Sequence, residues 1–421
     1  MKASKNLILI IASTGVFFEA LDIAIVNLAM PLIQQDFQLA NNEIQWVQTL
    51  YIIFYGACLL PGGKLADSIG RRKTFVIGNV LFLVTSLGAA FSFRFDMLVA
   101  FRAVQGIGAG LMMPSALSII TNTFTDSAQR AKAVGIFGAF AAVGSGSGMS
   151  VGGMIATWFG WQSVFLINVP VITITLVLTY LYVDRRDSRA FLLPVVFKDF
   201  IPRSIFRVPD VMLAAGVMML LGAFFTGFLF LVSMLLQNNM QYTAARAGLM
   251  LFPFSLLSAA ASRIAPPFLL RKMFVHQAAV LGMMLMVIGA LLIIASMSWG
   301  YNLVLLLTAF ACVSGFGIAI CFTTLTVLSV QKVPVARHGV ATGLCTTANF
   351  LGGGLGLVIL SLVMDTSASS NSITQLPVVV LMMFAVAGVA GLLYFGGRNL
   401  SDHTGGATGQ DGSSGINQEA A

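Results

Sequence analysis

Two acids stand three positions apart inside a long apolar run near the N-terminus, Glu19 and Asp22 in FFEALDIAIVNLAMP. In a helix that spacing puts them about 60° apart, on one face. Ionisable groups in a strongly apolar segment are costly and mark function by default. Desolvation and mutual repulsion favour a proton on at least one of the two. A carboxyl that takes up and gives back a proton can trade it for a bound solute. The plainer alternative makes Asp22 a hydrogen-bonding tie to a neighbouring helix. Asn27, five positions on, points elsewhere and ties helices together. A cation, Arg102, lies inside a further apolar run with Gln105 one turn later. Such an Arg must be neutralised or hydrated, which suits either proton transfer or a contact to backbone carbonyls of an adjacent helix. A third constellation is Gly63–Lys73 (GKLADSIGRRK), where Asp67 precedes Gly70, Arg71, Arg72 and Lys73. Its glycines allow a tight turn, and its cations fix which side of a membrane the segment occupies.

The elements that must hold these groups follow from composition. Of 421 residues, 58% are hydrophobic and only 9% charged, against roughly 25% charged in soluble domains. Too few charges exist to hydrate a globule of this size, so much of the surface must face lipid. About 20 apolar residues cross the hydrocarbon, and the sequence predicts spans near 7–30, 44–62, 74–93, 97–120, 133–157 and 162–183. A second set is predicted near 209–236, 247–266, 275–297, 302–330, 339–364 and 376–396. The chain reads as an all-α polytopic membrane protein of about twelve helices in two six-helix halves. Residues 1–183 form the first half, 184–208 a linker, 209–397 the second half, and 398–421 a disordered tail poor in apolar residues. Ser262–Lys272 (SRIAPPFLLRK) repeats the place of Gly63–Lys73 but carries Pro266 where Asp67 would fall. Paired halves of this kind suit alternating access.

Lys and Arg concentrate in the segments 63–73, 121–132, 184–208, 267–274 and 331–338, which places them and both termini in the cytoplasm. The opposite side keeps Arg94 and Arg246. The net charge of +8 is therefore a topological bias, not a footprint for nucleic acid. Glu19 and Asp22 also argue against a cleaved signal segment over the first span. Cys58, Cys312, Cys321 and Cys345 lie in apolar stretches at spacings of neither a zinc site nor a disulfide framework. No Walker-type loop appears, and no nucleophile, base or metal cluster points to an enzyme.

The order G-x-L-A-D-x-x-G-R-R-K in Gly63–Lys73 resembles the signature loop of the major facilitator superfamily. The resemblance implies that Asp67, with Gly63, Gly70 and Arg71, forms a conformational gate. Asp67 would pair with the N-terminal end of the helix starting near Gly339 when the cytoplasmic side closes, a carboxylate on a positive helix end. Arg71 would pair with Asp126. Leu21–Pro31 (LDIAIVNLAMP) resembles the first-helix motif of the drug:proton antiporter branch usually built with 14 spans, and Asp96–Gly110 the superfamily's fourth-helix motif. Gly144–Gly153 (GSGSGMSVGG) resembles the antiporter motif, with Gly148, Gly152 and Gly153 as its packing glycines. Met149 replaces the motif's Pro, Gln162 and Asn349 replace arginines, and the two extra spans are missing.

The resemblance implies a proton-coupled exporter of small amphipathic or hydrophobic compounds in a bacterial inner membrane, coupled through Asp22, Glu19 and Arg102. It implies no cofactor or metal, a monomer, and protons and a small molecule as partners. An acidic pocket would favour cations. The alternatives are an uptake symporter or facilitator of the same fold, or a receptor that does not transport.

Overall fold

A computed structural model describes residues 4–183, 204–334, 337–365 and 374–405. Among the described residues, twelve helices are long and apolar enough to cross a membrane. They are α1 (Lys5–Asp36), α2 (Asn42–Ile69), α3 (Arg71–Ala90), α4 (Phe95–Thr123), α5 (Ser127–Phe159), α6 (Ser163–Tyr182), α7 (Pro209–Asn239), α8 (Ala244–Leu270), α9 (Val275–Ser298), α10 (Leu303–Val330), α11 (His338–Met364) and α12 (Leu376–Tyr394). Each predicted span has its helix, and several ends run a turn or two further, as at Asp36, Ile69 and Ser127. The last helix continues past Arg398 to Gly405, so the expected disorder does not begin at 398. The linker up to residue 203 and the segment 406–421 lie outside the described residues.

Side-chain caps set several starts, because the first N–H groups of a helix lack intrahelical acceptors. Ser4 accepts from the Leu7 N–H at 3.3 Å, Asp126 from Gln129 at 2.9 Å and Asn302 from Val304 at 3.0 Å. The segment predicted as the loop Gly63–Lys73 is helical up to Ile69 and again from Arg71. Only Gly70 interrupts it, at φ 104°, a conformation that disfavours any residue with a Cβ.

The helix ends alternate between two faces. The face that carries Ser4 also gathers most of the described Lys and Arg, several of which have local work. Arg72 donates to the carbonyls of Thr179 (3.3 Å) and Tyr180 (2.9 Å) at the end of α6. Arg130 does the same for Phe124 and Thr125 at the end of α4. Cations at helix C-termini satisfy orphan carbonyls and complement the helix dipole.

Lipid removes most of the hydrophobic drive for helix association, so close backbone packing must supply it. Gly144, Gly148 and Gly152, four residues apart on α5, press α1 at the Phe17 carbonyl, the Leu21 carbonyl and the Ile25 side chain. On α4, Gly106 meets the Tyr51 carbonyl and Gly110 meets Cys58 and the Tyr55 carbonyl of α2. In the second half, Gly352 and Gly356 of α11 press Met219 and Ala223 of α7. The pairs α1–α5 and α7–α11 therefore hold corresponding places in the two halves.

Candidate functional site

The glycine faces aim the site. Arg102 lies one turn before Gly106 and two before Gly110, so the face of α4 that touches α2 delivers the guanidinium to α2 as well. Arg102 Nε donates to the Val47 carbonyl at 3.1 Å, and Nη2 reaches Gln48 Oε1 at 3.3 Å. Nη1 donates to Asp22 Oδ2 at 2.5 Å and to Gln105 Oε1 at 2.7 Å. The guanidinium carbon sits 4.0 Å from the Tyr51 ring centroid. Arg102 and Asp22 are both wholly buried.

The other carboxylate oxygen of Asp22 accepts from Asn168 Nδ2 of α6 at 3.1 Å, with Gln105 Nε2 at 3.5 Å. Gln105 in turn donates to Ser86 Oγ of α3 at 2.8 Å. Five helices of the first half thus converge on one ion pair. A buried pair persists only when hydrogen bonds satisfy its remaining lone pairs and protons, and this network supplies them. Arg102 neutralises an acid and also donates to a neighbouring helix's carbonyl.

Glu19 is buried too but has a different partner, the side chain of Tyr55 on α2. The Tyr55 ring packs edge-on against Phe350 of α11, with centroids 4.4 Å apart. The two acids share a face of α1 yet bond to different neighbours, Asp22 inside the first half and Glu19 beside the seam between halves. Asn27 bonds back to the Ile23 carbonyl of its own helix at 2.8 Å. Its backbone carbonyl, not its side chain, makes the tie across the seam, accepting from Ser233 Oγ of α7 at 2.6 Å.

Asp67 is exposed at the end of α2, and a Cβ added at Gly339 would meet nothing within 4 Å. Arg71 opens α3, half-buried, and Asp126 caps α5. A Cβ at Gly63 would find only Pro114 at 3.8 Å, whereas one at Gly62 would strike the Gly110 carbonyl. The tight position in this segment is Gly62. Gly148 and Gly152 hold α1 on either side of Asp22, while Gly153 packs on the Ala244 carbonyl of the other half.

The halves seal on the face away from Ser4. There Gly248 of α8 meets the Met149 carbonyl, the Ala245 N–H donates to Thr157 Oγ1 at 3.0 Å, and Gln237 Nε2 donates to the Leu28 carbonyl at 3.1 Å. On the Ser4 side of that seal lies a cavity of about 240 Å³ walled by α5, α7, α8 and α10. Outside the seal, a cleft of about 560 Å³ opens between the ends of α1 and α7.

Sequence reasoning missed Asn168, Gln48, Ser86, Tyr51 and Tyr55. Asn168 is an isolated polar residue in an apolar run, Gln48 and Ser86 sit beside other polar residues, and none carries a charge to draw attention to it. Asn349, standing where relatives carry Arg, donates to the Met218 carbonyl at 3.0 Å and ties α11 to α7.

The family description "Major Facilitator Superfamily" matches residues 12–357. The "Multidrug resistance protein Stp" of Mycobacterium tuberculosis (strain ATCC 25618 / H37Rv) is 27% identical over 422 residues, covering 88% of this chain and 78% of that protein. The "Tetracenomycin C resistance and export protein" of Streptomyces glaucescens is 29% identical over 424 residues, covering 85% and 75%. Among solved structures, a D-xylose-proton symporter superposes with a TM-score of 0.75 at 17% identity, covering 92% of this chain and 96% of that one. At that identity the likeness is one of fold.

Proposed function

The chain belongs to the major facilitator superfamily, and from that premise we propose that it exports small amphipathic or hydrophobic compounds in exchange for protons. The observation that carries the reading is the wholly buried Asp22–Arg102 pair on a network drawn from five helices. A proton placed on Asp22 removes the charge that holds Arg102, and the network must then rearrange. Glu19, bonded to Tyr55, is the second carboxyl able to exchange a proton. The names of the two relatives, a drug-resistance protein and a resistance and export protein, favour outward transport of foreign compounds.

In this cycle the face bearing Ser4 and most cations is cytoplasmic, in line with the positive-inside rule. On that reading the seal made by Gly248, Ala245 and Gln237 lies on the outer side. Protons arriving from outside neutralise Asp22 and Glu19 and favour substrate release. Their loss to the cytoplasm resets the pocket, as alternating access requires. The test is proton movement on substrate addition to proteoliposomes. Proton flux opposite to substrate supports exchange, and flux in the same direction sinks it.

A second reading, uptake symport or facilitation on the same fold, rests on Met149. The antiporter motif has Pro there, whereas α5 runs helical through Met149 from Ser127 to Phe159. The same flux measurement separates the two.

A further inference from the structure

The sequence pointed to an acidic pocket and hence to cationic substrates. The structure places the acids elsewhere. Asp22 is consumed by Arg102, Asn168 and Gln105, and Glu19 is held by Tyr55. Among the described residues, the cavity between the halves has no ionisable side chain in its wall. Its polar lining is hydroxyl: Ser145 from α5, Ser255, Ser258 and Ser262 from α8, and Ser314 from α10. Its greasy lining includes the Met149 thioether, which accepts from Ser255 Oγ at 3.4 Å, and the Phe225 ring.

Ser314 is the informative member. Many helical serines return their hydroxyls to carbonyls of their own helix, as Ser115 does to Leu111 at 2.7 Å and Ser150 to Gly146 at 3.2 Å; Ser314 does not, and of the serines lining this cavity it is the buried one left without a partner. Ser314 is 9% exposed, and its hydroxyl has no hydrogen-bond partner. It sits in a π-helical stretch of α10, Ala311–Gly317, a distortion frequent at functional sites. A buried hydroxyl without a partner loses its hydration for nothing in return, so the position makes sense when a ligand bonds it. The outer cleft repeats the same chemistry. Gln34, Gln35, Gln38, Gln237, Asn238 and Gln241 line it with carboxamides and no formal charge.

We infer that the cavity walled by α5, α7, α8 and α10 binds an uncharged, hydrogen-bonding amphipathic molecule, gripped by the hydroxyls of Ser314 and Ser255 against Met149 and Phe225. The inference rests on the transport reading given above but not on its coupling to protons. A cation entering this cavity would shed its water and meet no counter-charge, an uncompensated cost. A neutral molecule with hydroxyl or amide groups satisfies Ser314 and leaves nothing unpaired. Flexible thioether and aromatic surface then accommodates varied apolar parts.

The test is equilibrium binding to the full chain in lipid nanodiscs at one pH with no gradient, read by calorimetry. The probes are chloramphenicol, uncharged and rich in hydroxyl and amide groups, and tetraphenylphosphonium, a permanent cation with no hydrogen-bonding group. Chloramphenicol should bind at least about tenfold tighter, since only the cation brings an unpaired charge into the site. Ser314→Ala should weaken chloramphenicol about three- to tenfold, one hydrogen bond's worth, and leave the cation unchanged. Ser314→Thr, which keeps the hydroxyl, should bind as wild type, and gel filtration shows that each variant is intact. Ser258→Asp should reverse the order of the two probes. Tighter or equal binding of tetraphenylphosphonium, binding of neither probe, or an unaltered chloramphenicol affinity in Ser314→Ala overturns the inference. Since no gradient is present, such a failure leaves proton exchange standing, and that reading fails only in the flux assay.

Discussion

Neutralising Asp22 tests whether the buried pair is the coupling device or merely a structural rivet. In Asp22→Asn the shape is kept. The amide oxygen can still accept from Arg102 Nη1, which now lies 2.5 Å from Oδ2. The amide nitrogen would face Asn168 Nδ2, a donor meeting a donor. Asn168 Oδ1 is buried without a partner, so a flip of the Asn168 amide repairs that clash. What remains is the lost attraction, with Arg102 left among the neutral oxygens of Val47, Gln48 and Gln105. Breaking a buried pair from one side costs about 3–5 kcal/mol, and the surviving acceptors put this variant at the lower end, about 3 kcal/mol. Arg102→Gln does the reverse, leaving a buried carboxylate with two amide donors, and belongs at the upper end. The double variant Asp22→Asn/Arg102→Gln buries no charge. It should be more stable than Arg102→Gln, the worse single variant, which makes the coupling in the cycle at least about 3 kcal/mol. Thermal unfolding of the detergent-solubilised protein, followed by size-exclusion fluorescence, gives the stability order. Flux in proteoliposomes gives the function. All three variants should lose gradient-driven transport, the double variant despite its recovered stability. Additive destabilisation would refute the network argument, and pH-driven transport in the stable double variant would remove the pair from the mechanism.

Three further perturbations separate roles that share a helix. Glu19→Gln keeps a hydrogen-bonding partner for Tyr55, so stability should shift by less than about 1 kcal/mol while the pH dependence of transport flattens; an unchanged pH profile removes Glu19 from coupling. Gly148→Ala would drive a Cβ to 2.6 Å from the Leu21 carbonyl, against rigid backbone, and should lower stability by about 1–3 kcal/mol as overpacking does. A neutral thermal profile for that variant would mean that α1 and α5 are not held at this distance. Asp67→Asn alters an exposed side chain, so stability should stay within about 0.5 kcal/mol while turnover slows; full turnover would dismiss the gate.

The fold was legible because hydropathy is a one-dimensional signal, and a run of apolar residues long enough for the hydrocarbon has few alternatives to a helix. The site was legible only where a charge interrupted such a run. Glu19, Asp22 and Arg102 stood out for that reason, and all three are buried. Their partners did not stand out. Asn168 lies 146 positions from Asp22, and nothing in its own surroundings distinguishes it from any polar residue near a helix end. The two acids share a face of α1 but bond different neighbours for a geometric reason. Neighbours about 60° apart on a helix can face different helices, here α4 for one and α2 for the other. The basic segment Gly63–Lys73 misled, because polarity suggests a loop, whereas polar residues extend helices freely once the chain leaves the hydrocarbon.

Among the described residues, the charged side chains buried in the middle of a span, Glu19, Asp22 and Arg102, all lie in the first half, and that constrains how a proton could move the other. The place on α7 that corresponds to Asp22 on α1 lies in an apolar run, and the acid of that helix, Asp210, sits at its start with Lys332 at 3.0 Å. A proton can therefore act on the second half only through contacts at the seam. Two such routes are in place. Asn27 and Leu28, one to two turns beyond Asp22 on α1, offer their carbonyls to Ser233 and Gln237 of α7. Glu19 holds Tyr55, whose ring sits against Phe350 of α11. The first route lies at the seal and the second deeper in the seam, so a shift of α1 would strain both together. Tyr55→Phe distinguishes them: it keeps the ring contact with Phe350 and cuts only the bond to Glu19. If coupling runs by the second route, this variant should still bind substrate and cycle, yet move it without protons. If it stays proton-coupled, the signal passes through the carbonyls of α1, and Glu19 serves the fold rather than the gradient.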